Sequence, residues 1–209
     1  RRHTRSLCDW SSDVCSSDLA SVELGTISLG VAIAGTNAAD TYTGTAAADT
    51  FNGLDGADQL SGGDSNDWLS GGAGTDILNG GAGDDLLIGG SQADRFLFSS
   101  GAIFNASQLG MDTIMDFNPA EDRLRLARTT FSALAPGSTL AAGAFAVVTS
   151  DAAAATSAAL IAYNTSNGSL FYNPNGTAAG FAASPSGGGL FAQLLPAATG
   201  SPLDRKSNT

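Results

Sequence analysis

The sequence predicts an all-β protein: a coil of very short strands, followed by a second β-rich region that closes it. Three observations carry this. From Gly35 to Leu97 the chain repeats every nine residues without a gap. Each repeat opens with a loop too rich in glycine for a helix and ends in a short stretch whose central residue is large and apolar. From Ser99 the beat stops, and apolar and polar residues alternate around turn signals instead.

The elements follow in chain order. Residues 1–19, RRHTRSLCDWSSDVCSSDL, hold the only histidine (His3), both cysteines (Cys8, Cys15) and Arg1, Arg2 and Arg5. Nothing later shares that composition. The stretch reads as the conceptual translation of a sequencing adapter and is set aside as a non-native leader. No disulfide framework can then be invoked. Residues 20–34 read as a lead-in strand. Asp9, Asp13, Asp18 and Glu23 interrupt any signal-peptide pattern before the mildly apolar TISLGVAIAG.

Residues 35–98 hold the repeat: GTNAADTYT, GTAAADTFN, GLDGADQLS, GGDSNDWLS, GGAGTDILN, GGAGDDLLI and GGSQADRFL. Position one is always Gly. Position six is always Asp: Asp40, Asp49, Asp58, Asp67, Asp76, Asp85 and Asp94. Position eight is always large and apolar: Tyr42, Phe51, Leu60, Leu69, Leu78, Leu87 and Phe96. Position eight should point inward, with seven and nine outward. An unfolded acidic linker would have no need of that beat.

The pattern resembles the RTX nonapeptide, G-G-x-G-x-D-x-U-x. The match is best over Gly71–Ile88. It degenerates where Ala38, Ala47 and Gln92 replace the fourth-position glycine. The resemblance implies a right-handed parallel β-roll, a calcium-stacked solenoid in which two nonapeptides make one turn and residues 18 apart stack. Asp58 then lies over Asp76, Asp76 over Asp94, and Asp67 over Asp85.

Strand spacing would bring these carboxylates within about 5 Å. At that distance two charges repel by about 0.8 kcal/mol in water and about 3 kcal/mol at an effective dielectric of 20. Several such pairs rival the whole stability of a small domain, about 5–15 kcal/mol. The repeat block has ten Asp and one Arg, so the coil requires counterions. Ca²⁺ suits it, because this hard cation accepts carboxylates together with backbone carbonyls. Carried over by position, the resemblance implies metal ligation by Asp58, Asp67, Asp76, Asp85 and Asp94. Carbonyls of Gly62, Gly71, Gly72, Gly74, Gly80, Gly81 and Gly83 would complete the sites. Asp40 and Asp49 are weak candidates because their loops lack the glycines. Asp55, Asp64 and Asp84 lie off the repeated position and read as solvated or supporting. No EF-hand loop is present.

Residues 99–200 read as a β-rich capping and secretion region. GMDTIMDFNPAEDRLRLA (110–127) resembles the segment that follows the repeats in serralysin-type C-terminal modules, and Asp112, Asp116 and Asp122 match its acids. LIAYNTSNGSLFYN (160–173) reads as a hairpin turning at Thr165–Gly168. Asn173 and Asn175 stand where the family often has Asp. The alanine-rich stretches 141–146 and 152–159 read as short helices. Trp68, Leu86 and Ile88 share an outward face, on which the C-terminal half is expected to pack as a cap. Residues 201–209 read as a disordered tail, itself suspect as non-native.

With 20 acids against 9 bases, cations are the natural partners and nucleic acid is not. No apolar run reaches membrane-spanning length. H-E-x-x-H and G-x-S-x-G are absent, so the fragment reads as a calcium-binding module and not an enzyme. The resemblance further implies a secreted, extracellular bacterial protein that folds on calcium after type I secretion. The alternatives are the tail of a secreted hydrolase, such as a serralysin-like protease or lipase with its catalytic domain elsewhere, or a fragment of an adhesin.

Overall fold

The structure, a computed structural model, describes residues 29–137, 140–175, 181 and 187–195. The expected leader and tail, and residues 20–28 of the lead-in, lie outside them. The repeat block forms β1 (Ala32–Ala34), β2 (Thr41–Thr43), β3 (Thr50–Asp55), β4 (Gln59–Asp64), β5 (Trp68–Ala73), β6 (Ile77–Ala82), β7 (Leu86–Ser91) and β8 (Arg95–Phe98). Alternate strands pair in parallel at an offset of 18: Phe51 with Leu69 and Leu69 with Leu87 on one side, Leu60 with Leu78 on the other. Successive strands thus fall in two sheets, which is the geometry of a parallel β-roll.

Position eight points into the roll. Phe51, Leu60, Leu69, Leu78, Leu87 and Phe96 are all buried, and Tyr42 is half-buried at the first turn. The central strands are longer than the three residues expected. From β3 to β7 they run six residues, through positions one to three of the next repeat. Leu54 pairs with Gly72, and Gly72 with Gly90, so the second-position residues join the ladder even with positive φ.

The coil continues past the last repeat. A connector carrying α1 (Ala106–Leu109) leads to β9 (Asp112–Ile114), which pairs with β7. Then β10 (Arg123–Leu126) pairs with β8. One further rung is therefore built from residues outside the nine-residue beat.

The remaining elements are β11 (Phe145–Val148), α2 (Asp151–Ala155), β12 (Ile161–Asn164), β13 (Ser169–Tyr172) and β14 (Gly189–Leu194). β12 and β13 form the expected hairpin. Only part of 152–159 is helical, starting where the Ser150 side chain caps α2 by accepting from Ala153 N–H. The expected helix at 141–146 does not form. Instead β11 begins at Phe145 and pairs in parallel with β12, where β-branched Val147 and Val148 suit a strand.

The cap is also placed differently from expectation. It does not lie over the face bearing Trp68, Leu86 and Ile88, which are all half-buried. Instead β14 adds in parallel to the edge of β9, and β13, β12 and β11 extend that sheet to nine strands. An aromatic cluster joins roll to cap: Phe98 meets Phe191 edge-on at 5.2 Å, Phe131 meets Phe191 at 5.1 Å, and Phe104 meets Tyr172 at 4.9 Å. The core is continuous from Phe51 to Leu194. The closing strand covers the edge of β9, which would otherwise end the roll's first sheet as an unpaired strand.

Candidate metal centre

The position-six aspartates stand in two columns, one along each edge of the roll. Asp49, Asp58, Asp67, Asp76, Asp85 and Asp94 are all buried, and Asp40 is half-buried. Adjacent members are tied in one way throughout. The backbone N–H of each Asp donates to Oδ1 of the Asp 18 residues later: Asp40 to Asp58 (2.8 Å), Asp49 to Asp67 (2.7 Å), Asp58 to Asp76 (2.7 Å), Asp67 to Asp85 (2.8 Å) and Asp76 to Asp94 (2.9 Å). The expected stackings of Asp58, Asp76 and Asp94, and of Asp67 with Asp85, are therefore all present.

The second carboxylate oxygen divides the repeats into two classes. In the first two repeats it is satisfied by its own loop. Asp40 Oδ2 accepts from Thr36 N–H (2.7 Å) and Thr36 Oγ1 (3.0 Å), and Asp49 Oδ2 accepts from Thr45 N–H (2.6 Å). In the next five repeats it has no donor: Oδ2 of Asp58, Asp67, Asp76, Asp85 and Asp94 is buried and unpartnered. The backbone explains the division. In those five loops positions two and four have positive φ: Leu54 and Gly56, Gly63 and Ser65, Gly72 and Gly74, Gly81 and Gly83, Gly90 and Gln92. No residue of the first two loops has positive φ. With position two turned left-handed, its N–H does not reach the carboxylate. Glycine does this at little cost, whereas Leu54, Ser65 and Gln92 carry strain.

Position one stays Gly for a steric reason. A Cβ at Gly71 would stand 2.3 Å from Asp76 Oδ2 and 2.7 Å from the Gly89 carbonyl oxygen. Gly62 and Gly80 each crowd their own carboxylate in the same way, those of Asp67 and Asp85. Gly72, Gly74, Gly81 and Gly83 instead face carbonyls of the neighbouring turn, those of Leu54, Gly56, Gly63 and Ser65. Carboxylate and backbone oxygens are thus gathered at each edge. Among the described residues no three His, Cys, Asp or Glu side chains converge on one point, so a cation held here must draw much of its coordination from the backbone.

Burial and charge crowding shape the acidity. Burial, with Asp85, Asp49 and Asp64 adding repulsion, raises Asp67 to about 6. Burial raises Asp85 to about 6, and burial with the charges of Asp122, Asp76 and Asp116 raises Asp94 to about 7. Asp76 is raised for the same reason. At Asp49, burial is outweighed by hydrogen bonds from Thr45 and Val31, and its pKa is lowered. The loop that satisfies its carboxylate keeps it an ordinary anion. The loops that do not leave a buried charge seeking a positive partner.

The two columns end on acids that the nine-residue beat could not locate. Asp112 Oδ1 accepts from Asp85 N–H at 3.3 Å, and Asp122 Oδ1 from Asp94 N–H at 3.0 Å. They are 27 and 28 residues from their partners. Burial, with Asp85 beside it, pushes Asp112 well up. Asn118 N–H donates to Asp122 Oδ2 at 2.8 Å, so the last loop is satisfied as the first two are. Asp116 accepts from Gly89 and Gly90 N–H at 3.0 and 2.8 Å. Asp55, Asp64 and Asp84 are exposed, and Asp84 accepts from Met111 N–H. Asn173 is a structural link: its Nδ2 donates to the Ser157 carbonyl and its Oδ1 accepts from Asn175 N–H.

The donor set fits calcium. It is all oxygen, it combines carboxylate with carbonyl, and it leaves five buried acceptors without donors. The family model for the RTX calcium-binding nonapeptide repeat (4 copies) matches residues 34–69 and 61–96. Among solved structures, the chain is similar to the solution structure of the AlgE6R3 subunit from the Azotobacter vinelandii mannuronan C5-epimerase. Identity is 27%, over 77% of this chain and 72% of that one, with a TM-score of 0.33. No curated protein matches.

Proposed function

We propose, from the premise that residues 34–96 are RTX calcium-binding nonapeptide repeats, that the chain is a module that folds when it meets calcium outside the cell. The ions lie between loops that are both of the open class: Asp58 with Asp76, Asp76 with Asp94, and Asp67 with Asp85. Carbonyls of Gly62, Gly71, Gly72, Gly74, Gly80, Gly81 and Gly83 complete the coordination. The single observation that carries this reading is the set of five buried Oδ2 atoms without a donor. Bound calcium supplies positive charge to buried anions and so converts binding free energy into folding free energy.

The affinities of extracellular calcium modules, about 10⁻⁴–10⁻³ M, suit a protein that stays open where calcium is scarce and closes where it is abundant. Export through a type I secretion apparatus and an extracellular location follow from the resemblance to this family. Among the described residues no helix is long and apolar enough to cross a membrane. Circular dichroism during calcium titration tests the reading. β-structure should appear on addition and disappear with a chelator. No gain of β-structure up to about 10 mM Ca²⁺ refutes it.

A further inference from the structure

We propose that the free edge of β10 pairs with an extended polypeptide segment in which acidic and apolar side chains alternate. The two sheets of the roll end differently. β14 covers the edge of β9, whereas β10 ends the five-stranded sheet with no further strand among the described residues. Arg123 N–H and Ala127 N–H donate back toward β8, to the Asp94 and Phe98 carbonyls. Successive residues of a strand face opposite neighbours, so Leu124 and Leu126 aim N–H and C=O away from the sheet. Neither has a backbone partner on that side among the described residues. Such a row of unpaired groups is a template for one more strand.

The side chains state which strand fits. Inward, Leu124 and Leu126 extend the ladder of Phe96 and Phe98. Outward, Arg123 continues Arg95, and Arg125 stands beside Leu97. Three of the four described arginines of an acidic chain thus gather at this edge. Of the strands that end the two sheets, β10 (RLRL) is charged, whereas β1 (AIA), β2 (TYT) and β11 (FAVV) are not. Arg95 and Arg125 are exposed, and neither has an ion-pair or side-chain hydrogen-bond partner among the described residues. Arg123 is half-buried and is held by the Asp122 and Pro119 carbonyls through Nη1. An added strand places its inward residues against Leu124 and Leu126 and its outward ones against Arg123 and Arg125. The first must be apolar and the second acidic, because cross-strand neighbours of opposite charge attract and like charges repel. Arginines on an edge keep neutral and basic strands away, and the same charges select an acidic one. They also exclude a symmetric pairing with a second copy. Any antiparallel register that keeps leucine beside leucine sets arginine opposite arginine.

The test uses the full chain in calcium, with circular dichroism on the same samples to show the roll folded. A failure to bind is then a failure of this proposal and not of the calcium reading. The probe is a blocked peptide of alternating glutamate and valine, titrated against a peptide-and-calcium blank. Three controls accompany it: lysine in place of glutamate, the same composition as a glutamate run followed by a valine run, and the alternating peptide N-methylated along its backbone. The probe should bind and the controls should not. Hydrogen exchange at the Leu124 and Leu126 amides should be fast in the chain alone and slow with the probe, while Arg125, already paired to β8, changes little. R125Q should weaken binding about threefold, and R95Q with R125Q about tenfold, as expected for exposed charge pairs. No binding, or equal binding by any control, overturns the proposal. So does slow exchange at Leu124 and Leu126 before the probe is added, which means that another segment of the chain or, if sedimentation shows a dimer, a second copy already holds the edge.

Discussion

At the scale of single residues, one carboxylate oxygen separates the aspartates left with a buried, donorless acceptor from those satisfied by their own loop. Asp76 stands in the middle of its column, accepting on Oδ1 from Asp58 N–H and donating its own N–H to Asp94 Oδ1. Asp76→Ala should therefore remove two ions, and Asp67→Ala one, when bound calcium is counted by equilibrium dialysis. Asp40→Ala should leave the count unchanged. Among the described residues it loses the hydrogen bonds from Thr36, an effect of about 1 kcal/mol on the calcium-loaded fold. The repeat made Asp40 and Asp76 equivalent to the eye. What told them apart in the letters was the absent glycine at positions two and four. The consequence, an N–H turned toward or away from the carboxylate, depends on φ and became visible only in three dimensions.

At the scale of the loop, backbone handedness is the controlling variable. Replacing Thr45 and Ala47 together by glycine should let the second loop adopt the open form. Asp49 Oδ2 would lose its donor, and calcium titration should find one additional ion between Asp49 and Asp67. The stacked loops also fix a pH dependence. Asp67, Asp85 and Asp94 have pKa values of about 6, 6 and 7 in the roll, above the ordinary value of 3.8 that each retains in the unfolded chain. Between those values the metal-free roll holds more protons than the unfolded chain, so its stability must fall as pH rises through 6 to 7. Without calcium, β-structure should be greater near pH 5 than near pH 7.5, two points on either side of that window. With calcium the order reverses, because protons compete for the same oxygens. Dichroism at the two pH values, with and without chelator, reads both signs.

At the scale of the whole molecule, the cap holds the last rung. Phe191 packs against Phe98, Phe104 and Phe131, and β14 covers the edge of β9. Phe191→Ala should cost about 3–5 kcal/mol. Hydrogen exchange should rise first at β9 and β14, while amides near Asp58 and Asp76 stay protected, since each rung contacts only its neighbours. The nine-residue period, the inward ladder from Tyr42 to Phe96 and the two acidic columns were all legible in the letters alone. Each recurs at a fixed interval, and a local rule applied at that interval generates the coil. The hairpin at Ile161–Tyr172 was legible for the same reason, because its turn and alternation are local. The rung built by Asp112 and Asp122 was not, since an inserted connector stretches its spacing to 27 and 28 residues. Nor was the site of the cap. Outward apolar residues suggested a face, but an unpaired strand edge carries a row of unsatisfied N–H and C=O groups, and β14 satisfied that stronger demand. Local repetition determined the chemistry of this protein. Tertiary structure decided which carboxylates are left unsatisfied and where the coil ends, because both depend on partners that the chain brings near only by folding.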